Sequence, residues 1–409
     1  MKGFIDKIKN IDPLMFFSAL SSIGIISFFV YAYFYKGVAM NWLVIENNST
    51  WELSDHFRQV GFGSDIKNVY MKDEPVACFP PLAYLFYNFL YNINPILADD
   101  EQWLFEALTL PYEPILVIML MIFISVLLLG IVFKILNAGI DKTIFFMLVT
   151  LFSVPFFAGA IERGNIIFLV LVMLLYALYY KDSDKPWQRE CALILIAVAA
   201  AFKITPAIFG LLYLKEKRFK EAGRLVLYGI LFFFVPFIFC GGIDGIFAFI
   251  NVLGQQATEI PERWSCISGF VYYTFLYKRI FGAKTITKLI QILFLVLMIL
   301  GTLHADKKWK EAMYLTYILA FFSSTNYRYT LIYLFIPVVF LIRELRTDIL
   351  ARTDFNYMLL IGFALIFTIP TWWIIGDVEH WGCGVAYLIG FIAIAFEIIN
   401  FFKEKKQSS

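Results

Sequence analysis

Residues 191–214, CALILIAVAAAFKITPAIFGLLYL, decide the topology of this chain. The segment is apolar enough to cross a bilayer, but Lys203 and Pro206 interrupt it and basic clusters flank both of its ends. A cation in the middle of a membrane helix costs roughly 2.5 to 3.5 kcal/mol on insertion scales, and proline removes a helical hydrogen bond. The segment is therefore either one interrupted crossing or a hairpin that returns to its starting side.

The rest of the composition is that of a membrane protein. Of 409 residues 61% are apolar and 16% are charged, whereas about 25% charged residues is usual in soluble domains. No alternating strand pattern occurs, and backbone groups in lipid must be paired within their own segment. We therefore expect an all-α integral membrane protein, one domain over 1–409, with about ten transmembrane helices. The candidate spans are 14–35, 113–136, 143–160, 165–180, 225–240, 286–303, 311–324, 329–345, 356–375 and 382–401.

The distribution of Lys and Arg selects the hairpin. With a re-entrant or split hairpin at 191–214, 22 of these residues fall on the cytoplasmic side, 10 outside and two within the membrane. With a single crossing, 13 would lie inside and 19 outside. Because cytoplasmic loops carry the excess of positive charge, the hairpin is favoured. The basic N-terminal flank MKGFIDKIKN then precedes an uncleaved first helix, and both termini are cytoplasmic.

This topology places any chemistry on the outer face. The outer regions are the first loop 36–112, the turn 160–165, a second long loop 241–285, and the turns 323–330 and 376–382. The cytoplasmic loops are short, and no phosphate-binding glycine motif stands between a strand and a helix. A net charge of +2 with dispersed basic residues argues against a nucleic-acid partner.

The first outer loop contains two notable stretches. WELSDHFRQV, residues 51–60, gathers Asp55, His56 and Arg58 directly after the first span, with Arg58 placed to keep the Asp55 carboxylate ionised. Asp55 could accept a proton from a substrate hydroxyl, or it could simply be the N-cap of a helix. ACFPPLAYLFYNFLYNI, residues 77–93, is too short to span and suits a helix lying in the membrane interface.

Four features in order resemble one family. They are an acid just after the first span, the Pro80-Pro81 pair, ERGN at 162–165, and AAFKITPAIFGLLYLKEKRFKEA at 200–222. Over nearly the whole chain the sequence resembles glycosyltransferase family 87, integral membrane enzymes of GT-C type that use polyprenyl-phosphate sugars.

The resemblance implies an inverting hexosyltransferase with an extracytoplasmic active site in the plasma membrane, acting in cell-envelope synthesis. Its general base would be the first-loop aspartate, Asp55 here. Its donor would be a polyprenyl-phosphate sugar, with mannose the best-known sugar, and its acceptor a hydroxyl of a glycan or glycolipid. Relatives often carry a histidine in the late outer turn, where this chain has Tyr327, Arg328 and Tyr329.

A departing lipid phosphate needs cations and hydrogen-bond donors. Arginine suits this role, and ERGN opens a helix whose free N–H groups also favour an anion. Arg163 could instead pair with Glu162, and Lys203 could instead bond helix carbonyls at the Pro206 break or snorkel to the interface. The candidate ligands of the phosphate or sugar are His56, Arg58, Arg163, Asn165, Lys203, Arg263, Tyr327, Arg328 and Tyr329.

No metal or cofactor is expected, because neither the five cysteines nor the outer carboxylates have a ligand spacing. Two other classes stay open. An envelope polysaccharide polymerase or ligase would also act on lipid-linked sugars through outer arginines, but with a dispensable Asp55. A secondary transporter would show broken helices at matching positions of two repeats, and only one broken segment is evident here.

The hairpin predicts that residues 181–189 and 215–224 lie on the same, cytoplasmic side. Single cysteines at Ser183 and Gly223, in a background from which the native cysteines are removed, should show the same reactivity towards an impermeant maleimide in intact cells. Both should stay unlabelled until the cells are opened. Labelling of one position but not the other would contradict the hairpin.

Overall fold

The computed structural model describes residues 8–34, 53–71, 77–93, 113–258 without 154 and 162, 266–272, 276, 282–322, 328–368 and 378–408. All regular structure in these residues is helical. The α-helices are α1 (Pro13–Phe34), α2 (Ser54–Ser64), α3 (Pro81–Ile93), α4 (Glu113–Leu136), α5 (Ile140–Leu151), α6 (Ile167–Tyr180), α7 (Pro186–Phe202), α8 (Leu211–Lys215), α9 (Phe219–Phe234), α10 (Gly242–Thr258), α11 (Ile267–Val271), α12 (Ala283–His304), α13 (Lys308–Phe321), α14 (Phe335–Thr347), α15 (Asp354–Thr368) and α16 (Val378–Ser408).

Each predicted apolar run overlaps an α-helix, so the all-helical prediction is confirmed. Within the described residues, three segments are long and apolar enough to cross a membrane: Ile115–Leu136, Phe219–Ile238 and Ala283–His304. Five more apolar helical segments have 10–17 residues. A bundle of about ten crossings therefore stays a prediction.

One predicted span is shorter than expected because of proline. The run 143–160 is helical only as far as Leu151 in α5, after which the chain turns and forms a π-helical segment, Phe157–Ile161. Pro155 has no N–H to donate to the Leu151 carbonyl, and its ring clashes with that carbonyl in a continuous α-helix. The apolar composition of the run concealed this break.

The chain divides into two compact units, Met1–Leu43 with Val132–Ala158 and Ile260–Ser409, and Val44–Ile131 with Gly159–Glu259; the single domain over 1–409 stays a prediction. In the first unit, α13 and α14 pack together with nearly all of their apolar residues buried. Helix α1 packs against α5 and α15. Asp12, just before α1, pairs with Lys142 and Arg346 at 3.5 and 3.1 Å.

In the second unit the segment 191–214 reverses direction. Helix α7 ends at Phe202, and Lys203 is extended (φ −151°, ψ 123°). The chain then returns through a 3-10 segment, Thr205–Gly210, and the short helix α8. Pro206 opens the 3-10 segment, where a missing N–H is tolerated. The result is a hairpin with Lys203 at its tip.

An ion-pair network joins the two ends of this hairpin. The Lys181 ammonium is 1% exposed and pairs with Glu216 and, at 2.8 Å, with Asp182. The Arg218 guanidinium contacts Asp182 at 3.1 Å and donates to the Lys181 carbonyl at 3.0 Å. Arg224 pairs with Glu190 at 3.1 Å. The segments before and after the hairpin therefore lie at the same end of this unit, as the charge count requires.

The loops predicted to be outside contain helices. In the first, α2 packs against α3 through Gly63, whose carbonyl accepts a hydrogen bond from the Asn88 amide at 2.7 Å. Helix α3 begins at the second proline of the Pro80-Pro81 pair and buries Tyr84 and Tyr87, as a short amphipathic helix would. The second long loop, 241–285, contains α10 and α11. Its Gly, Asp and Asn residues diluted the apolar pattern that would have revealed α10.

Candidate functional site

The candidate site is centred on the Asp55 carboxylate, in the first turn of α2. Arg163 Nε donates to Asp55 Oδ2 at 2.8 Å, and Arg163 Nη2 donates to Oδ1 at 2.7 Å. Asn165 Nδ2 donates a third hydrogen bond to Oδ2 at 2.8 Å. This is a bidentate arginine–carboxylate pair, the strongest and most directional class of charged hydrogen bond. The carboxylate is thus fixed in both position and orientation.

The N-cap alternative for Asp55 is wrong. The residue that precedes α2 is Leu53, whose φ of 58° is left-handed, and no side chain caps the helix there. Asp55 lies inside the helix and directs its carboxylate to the turn 163–165. The alternative partner of Arg163, its sequence neighbour Glu162, lies outside the described residues, and the guanidinium fork engages Asp55.

Asn165 connects the site to a helix. Its Oδ1 accepts a hydrogen bond from the Ile167 N–H at 3.0 Å, while its Nδ2 donates to Asp55. The side chain is 4% exposed. The amide thus uses both of its ends, one on the start of α6 and one on the carboxylate. Asn165 is suited to hold Asp55 in place rather than to reach a substrate.

Gly164 allows the close approach of α2. Its φ is +62°, a conformation that L side chains rarely adopt. A Cβ at this position would also lie 2.8 Å from His56 Cβ and 3.1 Å from Val117 Cγ1. The backbones meet here, since the His56 N–H donates to the Arg163 carbonyl at 3.2 Å. In the RGN sequence, each of the three residues has its own physical role.

His56 is packed behind Asp55. The imidazole is 6% exposed and lies edge-to-face on Tyr87, with ring centroids 5.8 Å apart. Burial lowers the pKa of His56 from 6.5 to about 4, because a charged imidazolium would lose its hydration. His56 is therefore neutral at physiological pH and leaves little surface for a sugar.

Two further predicted cations, Arg58 and Lys203, differ in their position relative to Asp55. Arg58 is exposed, and its guanidinium lies 5.9 Å from the Phe62 ring centroid. The cation that pairs with Asp55 is thus Arg163, while Arg58 is exposed on the same helix. Lys203, at the hairpin tip, is partly buried and interacts electrostatically with Asp55 and with Cys78. The structure therefore brings Asp55, Arg163, Asn165 and Lys203 together.

None of the remaining predicted residues is shown to contact Asp55. Arg263 and Tyr327 lie outside the described residues, as does the side chain of Arg328, while Tyr329 is 8% exposed. The sequence reasoning missed Tyr87, which is fully buried on α3 and interacts electrostatically with Asp55. Burial raises the pKa of Tyr87, so its hydroxyl stays protonated. It was hidden among the other aromatic residues of 77–93.

Apolar helices long enough to cross a bilayer indicate a membrane protein. The fixed Asp55 carboxylate indicates a site for catalysis or for ligand binding. Residues 80–325 match glycosyltransferase family 87. Because this match covers more than half of the 409 residues, the chain belongs to that family and is a membrane glycosyltransferase. No curated protein matches the chain.

The match includes the RGN turn and the hairpin, but Asp55 precedes its first residue and Tyr327 follows its last. The family assignment therefore carries no information about Asp55 itself. What connects Asp55 to the matched region is geometry, through Arg163 and Asn165.

Gly164→Ala should destabilise the protein by about 1 to 3 kcal/mol, because the new methyl group meets His56 in a left-handed backbone conformation. The matched control is Gly223→Ala in α9, where nothing lies within 4 Å of the new methyl group. There alanine should be neutral or stabilising by up to about 1 kcal/mol. Equal unfolding midpoints in detergent for Gly164→Ala and wild type would contradict the close approach.

His56 should make stability depend on pH. Its folded pKa of about 4 lies below the unfolded 6.5, so the unfolded chain binds the proton first and stability falls as pH drops from 6.5 towards 4. The full loss is about 3 kcal/mol, reached below pH 4. His56→Phe keeps an aromatic ring and should lose this dependence. Chemical unfolding at pH 7 and pH 5 measures it, and parallel curves for both proteins would contradict the assignment.

Proposed function

We propose that the chain transfers a sugar from a polyprenyl-phosphate donor to an acceptor hydroxyl of a glycan or glycolipid, at the extracytoplasmic face of the plasma membrane. The reaction inverts the anomeric configuration, and Asp55 is the general base. Family membership supports glycosyl transfer. The observation that carries the assignment of the base is the Asp55 carboxylate, held by Arg163 and Asn165.

Asp55 keeps the capacity to bind a substrate. A carboxylate has about four lone-pair sites, and the Arg163 and Asn165 bonds use three, two on Oδ2 and one on Oδ1. The side chain is 22% exposed, so it is not sealed from an incoming hydroxyl. One direction on Oδ1 is therefore left for an acceptor O–H.

In the proposed step the acceptor oxygen attacks the anomeric carbon of the donor sugar. The bond between this oxygen and the anomeric carbon forms as the bond from the carbon to the phosphate oxygen breaks. Asp55 takes the acceptor proton, and the polyprenyl phosphate leaves with the electron pair. A base already in place contributes both proton transfer and alignment.

Arg163 and Lys203 differ in their contacts, and we therefore assign them different roles. Arg163 directs two of its N–H groups to Asp55, which favours a positioning role over the phosphate contact expected from the sequence. Lys203 lies near Asp55 at the hairpin tip. An ammonium that interacts electrostatically with the base is suited to stabilise the charge that develops on a departing phosphate. We assign the donor phosphate to Lys203, with Arg328 and Arg263 as further candidates.

Apolar surface is available for the lipid part of the donor. Helix α9, in the same unit as Asp55, exposes a row of large apolar side chains: Val226, Leu227, Ile230, Leu231 and Phe234. Such a face suits acyl chains or a polyprenyl chain equally. It is consistent with a donor that remains in the membrane while its head group reaches the site.

Mannose is our first choice of sugar, and glucose, galactose or a pentose are the alternatives to test. The second candidate function is an envelope polysaccharide polymerase or ligase, which would use the outer arginines and no base at Asp55. The carboxylate's own hydrogen-bond network favours the transferase. A secondary transporter would need neither Asp55 nor Arg328.

Asp55→Asn should lower turnover by roughly 10²- to 10⁴-fold, because an amide cannot accept the acceptor's proton. Donor binding should remain close to wild type, since Lys203 is unchanged. The measurement is sugar transfer and donor binding in nanodiscs, with polyprenyl-phosphate mannose as the first donor.

The matched control is Asp65→Asn, at the end of α2, whose carboxylate bonds Asn68 rather than Arg163. This variant should transfer sugar at nearly the wild-type rate. A near-normal rate in Asp55→Asn would refute the base assignment. If Arg328→Ala were then inactive, the polymerase or ligase would be favoured.

A further inference from the structure

Gln59 lies one helical turn beyond Asp55 on α2. Residues four apart on an α-helix lie on the same face, with Cβ atoms about 6 Å apart. The neighbours of this face differ in exposure: His56 and Val60 are buried, while Arg58 is exposed. Gln59 is partly buried between them, as is Asp55. The two side chains therefore border the same region of the site.

The amide of Gln59 is incompletely bonded. Its Oε1 is buried and has no hydrogen-bond partner among the residues that the structure describes. A buried acceptor without a partner is unfavourable, because it has lost its hydrogen bonds to water and gained none in return. The Asn88 amide, on the other side of the α2–α3 contact, shows the contrast, because it bonds the Gly63 carbonyl at 2.7 Å. The Gln59 oxygen can thus accept a hydrogen bond from a ligand.

We infer that Gln59 is a sugar-binding residue, whose Oε1 accepts a hydrogen bond from a carbohydrate hydroxyl held next to Asp55. This inference rests on the proposed function and adds a specificity determinant to it. Vicinal hydroxyls of a sugar are close enough together for one to face Asp55 while its neighbour faces Gln59. The hydroxyl can belong to the acceptor or to the donor sugar.

The position gives Gln59 selectivity of a particular kind. A buried acceptor discriminates strongly against a sugar that lacks the matching hydroxyl, because the amide oxygen is then left without a partner. An aliphatic residue at position 59 would bind the sugar with the hydroxyl and the sugar without it with similar affinity. Gln59 therefore selects the sugar by the position of its hydroxyl groups, whereas Asp55 accepts the proton.

The test is Gln59→Met, which keeps an unbranched side chain of similar length but removes the amide. In nanodiscs with polyprenyl-phosphate mannose, the KM for the substrate that carries the hydroxyl should rise roughly 5- to 50-fold. A rise confined to the acceptor places the hydroxyl there, and a rise confined to the donor places it on the donor. Meanwhile the unfolding midpoint should be unchanged or higher, because an unpaired buried acceptor has been removed.

Gln291→Met is the matched control. Gln291 Nε2 already donates to the Phe322 carbonyl at 2.6 Å, so its loss should lower the unfolding midpoint and leave both KM values unchanged. An unchanged KM for both substrates in Gln59→Met would overturn the inference. So would a lower midpoint with unchanged KM, which would indicate a purely structural amide.

A second arm uses the wild-type protein and does not depend on any variant folding. Sugars that lack one hydroxyl at a time are compared as substrates, and one of them should bind wild type roughly 5- to 50-fold more weakly. The same analogue should lose little further affinity in Gln59→Met, since the two changes remove one contact. Equal losses in both proteins would overturn the inference. Failure of wild type to transfer any sugar would instead contradict the proposed function.

Discussion

The contact between Arg163 and Asp55 holds the candidate site together, because it joins the first turn of α2 to a turn 108 residues later in the chain. A partly buried carboxylate without a charged partner would cost several kcal/mol. The other features of the turn serve this contact: Gly164 lets the backbones meet, and Asn165 completes the carboxylate's bonding. The strength and direction of the pair fix the carboxylate that we propose as the base before substrate binds.

The hairpin has lysines at two different places, Lys181 at its ends and Lys203 at its tip. At its ends, Lys181 is neutralised by Glu216 and Asp182. At its tip, Lys203 approaches Asp55 from the opposite end of α7. A cation in an apolar hairpin is costly, so its electrostatic interaction with Asp55 is the more informative of the two. The same reversal that brings the two flanking segments to one end of this unit therefore places a positive charge at the hairpin tip.

The candidate site combines residues from inside and outside the family match. Residues within the family match, Arg163 and Asn165, hold a carboxylate that lies outside it. His56 and Tyr87 close the side of α2 that faces α3, so the imidazole acts as packing and the partly buried edge of the helix carries Asp55 and Gln59. Specificity and proton transfer can thus be divided between two residues of one helix face.

The sequence by itself determined the membrane class, the helices and the hairpin, because apolar runs, Pro206 and the Lys and Arg distribution are local or additive signals. It also singled out Asp55 and the RGN turn. Only the tertiary structure decided that Asp55 pairs with Arg163 rather than Arg58, and that His56 is buried. Such pairings depend on which distant backbones pack together, and neither periodicity nor spacing along the chain encodes the direction of a side chain across that packing.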